Sequence, residues 1–329
     1  MRNFIIRRVL LGIFIVFFGA MIIYTVIRLL PSSYVEQIAR QRASNPLSTK
    51  SYQEWLDQLN EVYRLNVGII PGYFGWLGNA VRGDFGESWH YGIPVTEKFN
   101  QVVWYSFIIN IITFLVQLLI SIPLGIIAAR KQYSRADYAI TIFALAGISL
   151  PTFFLATILK YVFSIQLGWF DLYGLTGRYH SSMTSFQQVL DIAYHMVLPI
   201  VTLMMLSIGG LMRYTRTNML EVLNSDYIRT ARAKGLSEKV VINKHAFRNT
   251  LIPLVSYMSF LLPSMFGGAQ ITETLYQIPG IGYISYQAMI RGDIPFAMFY
   301  TTFLILLTQI SLLIADIMYA VVDPRVRVN

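Results

Sequence analysis

The chain alternates long apolar stretches with shorter polar ones. A membrane-spanning helix needs about 20 mostly apolar residues. Six stretches meet that length, at roughly 9–29, 101–129, 138–166, 194–212, 251–275 and 298–322. The pattern predicts an all-α polytopic membrane protein with six transmembrane helices.

The first apolar stretch follows Arg7 and Arg8, an arrangement that signal peptides share. Its apolar run is too long for a signal peptide, and no small-x-small cleavage site follows it. We therefore expect a retained helix, with residues 1–29 forming the N-terminal cytoplasmic end and the first transmembrane helix.

Basic residues collect in alternate polar segments, and this predicts the orientation of the chain. The amino end, segments 130–137 and 213–250 and the tail after residue 322 hold 16 of the 26 Lys and Arg residues. They hold only five of the 17 Asp and Glu residues. Lys and Arg are retained on the cytoplasmic side of membranes. Both termini and the 213–250 loop are therefore expected in the cytoplasm.

Residues 30–100 are expected to form an extracytoplasmic loop or subdomain. Ser51 and Glu54 have the spacing of a helix capping box, and the residues after them predict a short amphipathic helix. Gly and Pro punctuate residues 68–94, which predicts irregular structure there. Residues 101–329 are expected to form a five-helix core that contains the 213–250 loop.

Composition supports a membrane location. Of the 329 residues, 55% are hydrophobic and 13% are charged, whereas soluble domains carry about 25% charged residues. The net charge of +9 is typical of a nucleic-acid partner in a soluble protein, but here the cations gather at the ends of apolar stretches. We expect no nucleic-acid partner. The chain has no cysteine, which excludes disulfides and thiolate chemistry.

One face of the second apolar stretch is polar. Its polar residues recur at spacings of three and four, which places them on one side of a helix: Ser106, Asn110, Thr113, Gln117 and Ser121. The sixth stretch repeats the pattern more weakly with Thr302, Gln309 and Asp316. Lipid cannot satisfy amides, so this face should point into the bundle or a wet cavity. A translocation path and plain hydrogen bonding between helices both fit, and the two interpretations remain open.

Single residues inside the apolar stretches predict local features. Pro123, Pro151 and Pro263 predict kinks in their helices. Two glycine pairs, Gly209-Gly210 and Gly267-Gly268, predict close packing between helices. Lys160 is expected near the external end of the third span, where its stem can snorkel to the interface.

Several catalytic patterns are missing from the sequence. It contains no GxxxxGK[ST] loop for nucleotide phosphates, no HExxH zinc pattern and no GxSxG nucleophile elbow. The four histidines are scattered along the chain. These observations argue against an ATPase and give an intramembrane hydrolase little support.

Residues 226–237 read DYIRTARAKGLS, and this run resembles the coupling-loop motif of ABC importer permeases of the dipeptide/oligopeptide class. Further matches follow the family's order over nearly the full length of the chain. They are RGDFG at 82–86 with Ser88, SLP at 149–151, LP at 198–199, RYTR at 213–216, IPGIG at 278–282, DIP at 293–295 and DPR at 323–325. The chain is similar to the permease subunit that has the long first external loop.

The 226–237 run also has a physical interpretation of its own. Asn224 or Ser225 can cap a helix that runs to Lys234, Gly235 suits a left-handed helix end, and Ser237 can cap a second helix. Two short helices joined at a glycine make a compact knob. A basic loop lying on anionic lipid is the alternative, and the ordered motif matches favour the knob. The residues assigned to ATPase coupling are Asp226, Tyr227, Arg229, Thr230, Ala231, Arg232, Ala233, Lys234 and Gly235.

The resemblance implies a type I ABC importer permease fold in a bacterial or archaeal plasma membrane. It implies a homologous second permease, two cytoplasmic ABC ATPases, an extracytoplasmic solute-binding protein and membrane lipid as partners. ATP and Mg would be bound by the ATPases, and this chain would hold no cofactor or metal and catalyse nothing. Small peptides are the expected substrate. Oligosaccharide or nickel import is the first alternative, and a secondary transporter and a membrane enzyme are the others.

Overall fold

The structure, a computed structural model, describes residues 2–29, 34–44, 50–62, 65–259 and 261–322. The first residues of the expected 30–100 loop, 30–33, and the DPR motif at 323–325 lie outside the described residues. Four helices begin the chain: α1 (Arg2–Leu29), α2 (Tyr34–Ala43), α3 (Tyr52–Val62) and α4 (Ile69–Ala80). Four more form the central part: α5 (Val95–Arg130), α6 (Arg135–Ser149), α7 (Thr152–Leu159, continued by a π-helical turn at Lys160–Gln166) and α8 (Ser185–Leu223).

The last part of the chain contains shorter helices and one long one. These are α9 (Asp226–Ala233), α10 (Glu238–Val240, continued by a π-helical turn at Val241–Ala246), α11 (Phe247–Ser259), α12 (Leu262–Gly267), α13 (Gln270–Tyr276), α14 (Ile281–Ile290) and α15 (Ile294–Val322). The part of the chain that the structure describes is helical and contains no strand. The all-α expectation is confirmed for these residues.

In the part of the chain that the structure describes, four helices are long and apolar enough to cross a membrane: α1, α5, α8 and α15. The expected third span, 138–166, is not one straight helix: α6 and α7 meet at an angle of 103°. Leu150 has an extended backbone, with ψ at 131°, because the proline ring at Pro151 disfavours the helical conformation of the preceding residue. The proline predicted to kink this helix breaks it.

The expected fifth span, 251–275, is also divided, into α11, α12 and α13. Gly268 has a φ of +73°, a conformation that L side chains rarely adopt. A side chain at Gly268 would also collide with the backbone of Gly282. The helix therefore ends where the chain needs a left-handed residue and a close backbone contact. The described residues do not form six unbroken spans.

The core of the bundle forms where α5, α6 and α7 pack on α8. Ile109, Leu155, Met196 and Leu198 are buried together there. A salt bridge lies at one end of the bundle, where Nε and one terminal nitrogen of Arg216 donate to the Asp137 carboxylate at 2.7 and 2.9 Å. Asp137 is almost fully buried. This pair joins the start of α6 to the later part of α8.

The second unit of packing is α1 against α15, with α4 beside both. Arg8 and Asp316 form an ion pair at 3.0 Å near one end of α1, and the Tyr73 hydroxyl of α4 donates to the Phe17 carbonyl at 2.6 Å. Residues 69–80 form the helix α4. The prediction of irregular structure throughout 68–94 is wrong for these residues. The capping box at Ser51 and Glu54 is confirmed, with reciprocal hydrogen bonds of 2.7 and 3.3 Å.

Two expectations about polar residues are wrong. Lys160 does not snorkel: its ammonium donates to the Leu275 carbonyl at 2.7 Å and is largely buried, because the end of α13 offers it an acceptor inside the bundle. The histidines are not all scattered either. His180 and His195 both approach Asp191, with Nδ1 of His180 at 2.7 Å from its carboxylate.

Two adjacent glycines on α8 provide a test of how closely α6 packs on α8. Gly209 lies against the Ala144 carbonyl and the Ile148 side chain of α6, whereas the nearest atom to an added methyl at Gly210 is the Tyr257 hydroxyl, 3.8 Å away. We expect Gly209→Ala to destabilise the protein by about 1–3 kcal/mol, the usual cost of overpacking. Gly210→Ala should be neutral or mildly stabilising. Thermal unfolding of the two variants in detergent measures the difference, and equal midpoints would contradict this packing.

Candidate functional site

The first candidate site is the knob that residues 224–248 form. Its helix α9 is anchored by Ile228 and Ala231, which are buried against Met219 of α8 and against Val241 and Ala246 of the following π-helical turn. These apolar contacts hold the helix on the end of the bundle. The knob is therefore fixed on its inner side to α8 and to the turn that leads into α11.

The outer side of α9 is polar and exposed. No described part of the chain packs over the outward-facing residues, which include Tyr227, Arg229 and Lys234. Arg232 donates to both oxygens of Glu238 at 2.9 and 3.2 Å. Hydrogen bonding from Arg232 lowers the pKa of the Glu238 carboxyl below its usual value. This ion pair ties α9 to α10 on the outer surface.

Most of the residues assigned to ATPase coupling lie on the outer side of the knob, and their coupling role stays a prediction. Asp226, Tyr227, Arg229, Thr230, Arg232, Ala233, Lys234 and Gly235 are exposed on the knob. Ala231 does not offer a close approach to a partner, because it faces its own bundle. Gly235 has the predicted left-handed backbone, with φ at +73°.

Two further details of the knob differ from expectation. Ser225 occupies the N-cap position, but its hydroxyl donates backward to the Val222 carbonyl and does not cap the helix. The segment 213–250 is a loop only in part. It begins inside α8, which runs to Leu223, and it ends inside α11, which starts at Phe247.

The second candidate site is a cavity of about 400 Å³ between α5, α8, α11 and α12. Asn110, Thr113 and Gln117 of α5 line it, with Ser207 of α8 and Tyr257 of α11 among the residues opposite. None of the described residues that line this cavity is charged. Its walls combine amides, hydroxyls and apolar side chains.

The polar face of α5 divides into two kinds of residue. Ser106 and Ser121, at its ends, are fully buried and hydrogen-bonded, Ser121 to the Ile208 carbonyl at 3.1 Å. Gln117 reaches the cavity but also donates to the Ser207 carbonyl at 3.0 Å. The ends of this face therefore pack against neighbouring helices, and its middle borders a cavity. That the cavity belongs to a translocation path stays a prediction.

The polar residues of the last helix lie apart from this cavity. Gln309 sits beside Gly12 of α1, with its side chain 3.6 Å from where a Cβ would stand. The Thr302 hydroxyl is buried and has no hydrogen-bond partner among the described residues. The structure therefore brings Gln309 to the contact between α1 and α15, away from Asn110 and Gln117.

A buried carboxylate that the sequence interpretation missed holds the neighbourhood of the cavity in place. Glu273 of α13 accepts hydrogen bonds from the Ser106 hydroxyl at 2.6 Å and from the backbone N–H groups of Ala269 and Tyr283 at 2.9 and 2.8 Å. The Ser106 oxygen in turn accepts from the Ile281 N–H at 2.7 Å. An acidic residue inside an apolar stretch was the available signal.

The glycines of the IPGIG motif are explained by this carboxylate. A Cβ at Gly280 would lie 2.5 Å from both the Glu273 carboxyl carbon and the Ser106 hydroxyl. A Cβ at Gly282 would likewise lie only 2.8 Å from the backbone nitrogen of Gln270. The motif therefore lets the chain before α14 wrap closely around a charged group.

A second carboxylate joins two other sequence motifs. Asp293 of the DIP motif is fully buried and accepts from the hydroxyl of Ser88, two residues after the RGDFG run, and from the His90 N–H at 3.0 Å. It also accepts from the Phe296 N–H at 3.2 Å, as N-cap residues do. The segment before α5 is thereby fixed to the start of α15.

Comparison with known proteins identifies similar chains. Residues 121–328 match the family described as binding-protein-dependent transport system inner membrane components. The chain is 36% identical to the oligopeptide transport system permease protein AppB of Bacillus subtilis, over 99% of both chains. It is 34% identical to the oligopeptide permease OppB of Salmonella typhimurium and 31% identical to the dipeptide permease DppB of Alkalihalophilus pseudofirmus, over 99% of this chain and 100% of each of those.

The Glu273 contacts predict the effect of a near-isosteric change. Glu273→Gln places an NH₂ group against N–H donors that now face carboxylate oxygens, and we expect a loss of about 1–3 kcal/mol of stability. Glu97→Gln, at an exposed position of α5, is the matched control and should leave the unfolding midpoint in detergent unchanged. Equal midpoints for both variants would show that the Glu273 charge is not what holds α13 and α14.

Proposed function

Because the chain belongs to the family of binding-protein-dependent transport system inner membrane components, we propose that it is the permease subunit of an ABC importer for oligopeptides or dipeptides. Peptide transport is what the names of similar permeases state. The chain is a multi-pass membrane protein, and we place it in the bacterial or archaeal plasma membrane. It forms half of the translocation path.

The proposed assembly contains four further proteins. A homologous permease completes the path, two cytoplasmic ATPases bind ATP and Mg, and an extracytoplasmic solute-binding protein delivers the peptide. This chain holds no cofactor and is not catalytic. Its amino and carboxyl termini lie in the cytoplasm, and the divided pair α11 and α12 supplies the crossing that makes six.

The position of the knob between two cavity-lining helices is the observation that carries this proposal. Its anchor residue Ile228 packs with Met219 of α8 and with Val241 of the turn that leads into α11. Ser207 of α8 and Tyr257 of α11 line the polar cavity. Residues 207 and 219 are about 18 Å apart along α8 at 1.5 Å per residue. A push on the knob is therefore applied directly to two walls of the cavity.

Two contacts keep α8 and α11 moving together. The rings of Tyr214 and Tyr257 stack with centroids 5.0 Å apart, and the buried Thr250 hydroxyl contacts the Met219 sulfur at 3.2 Å. In the proposed cycle, nucleotide closes the ATPases, the closing ATPases displace the knob, and the cavity changes its access from one side of the membrane to the other. The coupling free energy is the difference in ATPase affinity between the two bundle states.

The lining of the cavity supports a peptide substrate of mixed sequence. Asn110, Thr113 and Gln117 offer amide and hydroxyl groups that can exchange hydrogen bonds with a peptide backbone. Without a charged group among the described lining residues, the cavity does not favour one side-chain charge over another. Much of the selection among peptides is left to the solute-binding protein.

The outer face of the knob provides the first test. Tyr227→Ala and Arg229→Glu change exposed side chains, so both proteins should insert and fold normally. We expect ATP-dependent peptide uptake to fall roughly tenfold or more, as the loss of an interface anchor commonly causes. Lys131→Ala, exposed on another polar turn, is the control. Uptake at the unmodified rate in both variants, measured in vesicles with all partner subunits, would reject the coupling role.

The polar face of α5 provides the second test. Because the chain has no cysteine of its own, an introduced cysteine is the one thiol on this subunit that can react. Cysteines at Asn110, Thr113 or Gln117 should react with water-soluble thiol reagents at rates that change when ATP is bound. Cysteines at Ser106 and Ser121, which are hydrogen-bonded and fully buried, should stay unreactive. The same rate at all five positions in both states would leave only a packing role for this face.

A further inference from the structure

The contact between α1 and α15 leaves an apolar groove beyond the end of α4. Near the start of α15 the two helices and α4 pack tightly, with Ala20, Tyr24, Tyr73 and Met298 buried together. Helix α4 ends at Ala80. Beyond it the groove continues toward Arg8 as a cavity of about 400 Å³. We name it the α1–α15 groove; Gly12, Ile13, Leu77, Gln309 and Leu313 are among its lining residues.

The chemistry of this groove is that of an amphiphile site. Its walls are apolar except for Arg8 at one end and Gln309 between Gly12 and Leu313. Among the described residues, none forms a hydrogen bond with the Gln309 carboxamide. An amide at that depth in a membrane has no water to bond. A ligand with a long apolar part, a polar part near Arg8 and a hydrogen-bonding group one helical turn further along, beside Gln309, would bond to both side chains.

Arg8 has donors to spare for such a ligand. Its Nε and one terminal nitrogen lie 3.0 and 3.3 Å from the Asp316 carboxylate, and a guanidinium carries five N–H donors. The side chain is 44% exposed, at the end of the groove away from α4. Arginine binds phosphate oxygens well because its donors form a planar fork.

We propose that the α1–α15 groove binds a phospholipid, with one acyl chain along the groove and the phosphate on Arg8. The groove runs parallel to two membrane-spanning helices, as lipid tails do, and its rim residues Val9, Ile13 and Ile310 are exposed. Basic pockets between membrane helices on the cytoplasmic side are known to hold anionic headgroups.

The lipid would fill the space between α1 and α15 in the part of their contact that runs from Leu77, in the last turn of α4, toward Arg8. Inside a bilayer the tail gains packing contacts, since it is already removed from water. The phosphate contact at Arg8 therefore decides whether this lipid stays or exchanges with the others. The leaflet is the one that holds the amino end, which is the cytoplasmic one in the orientation proposed above.

The first experiment counts phospholipid bound to the transporter complex purified in detergent after incubation with phosphatidylglycerol. Ile13→Trp fills the groove, whereas Ile22→Trp changes a residue of equal type on the same helix that does not line it. The two isoleucines are 61% and 64% exposed, so neither change disturbs the core. We expect Ile13→Trp to lose about one phospholipid per chain and Ile22→Trp to lose none. Equal retention in both would overturn the proposal.

The second experiment separates the headgroup contact from the ion pair. Arg8→Gln removes both the donors for phosphate and the pair with Asp316, whereas Asp316→Asn removes only the pair. We expect phosphatidylglycerol retention to weaken roughly tenfold in Arg8→Gln, because a charge-assisted hydrogen bond is lost, and to persist in Asp316→Asn. Equal loss in both variants would refute the phosphate contact.

A third measurement addresses a different occupant. A cysteine at Ile13 that cross-links to the second permease, in a complex that retains no phospholipid, would show that protein covers the groove and would also overturn the proposal. All three measurements detect lipid or contact and need no transport. A failure here therefore leaves the peptide-import proposal standing, and a failure of peptide uptake leaves the lipid site standing.

Discussion

The hydrogen bonds of the Glu273 carboxylate organise the part of the bundle where regular helices stop. A backbone that leaves helical geometry inside a membrane must find partners for its N–H groups within the protein. The Glu273 carboxylate is such a partner. It accepts from the N–H groups of Ala269, before α13, and Tyr283, after it, and from the Ser106 hydroxyl of α5. The carboxylate stabilises the irregular segments around Gly268 and Gly280 because it accepts hydrogen bonds from backbone N–H groups next to them.

The same constraint connects the two candidate sites. The expected fifth span is divided into α11, α12 and α13, with the last division at Gly268. The polar cavity lies between α5, α8, α11 and α12, beside these divisions. Helix α8 remains unbroken from Ser185 to Leu223 and reaches from the cavity to the knob. A rigid helix beside a divided one is an arrangement that can transmit a displacement without unfolding.

Much of this was predictable from local pattern. The long apolar stretches predicted α1, α5, α8 and α15, since a bilayer imposes both their length and their composition. The three- and four-residue spacing predicted that Ser106, Thr113 and Gln117 share a buried face, and Gly235 was predicted to end α9 in a left-handed conformation. These features depend on residues close together in the chain. Whether the chain crosses the membrane six times, and on which side its termini lie, stays a prediction.

What the sequence by itself determined is the helical, membrane-spanning class of the protein, its polar α5 face, and the exposed knob between α8 and α11. Tertiary structure alone decided that Ala231 faces inward, that Lys160 is buried against the end of α13, and that α6 and α7 bend apart. It also decided which residues Glu273 and Asp293 bind, across separations of up to 205 residues. The reason is physical: helix formation and membrane insertion depend on residues within a few turns, whereas a buried polar group is satisfied by whichever partner the folded chain brings within 3 Å.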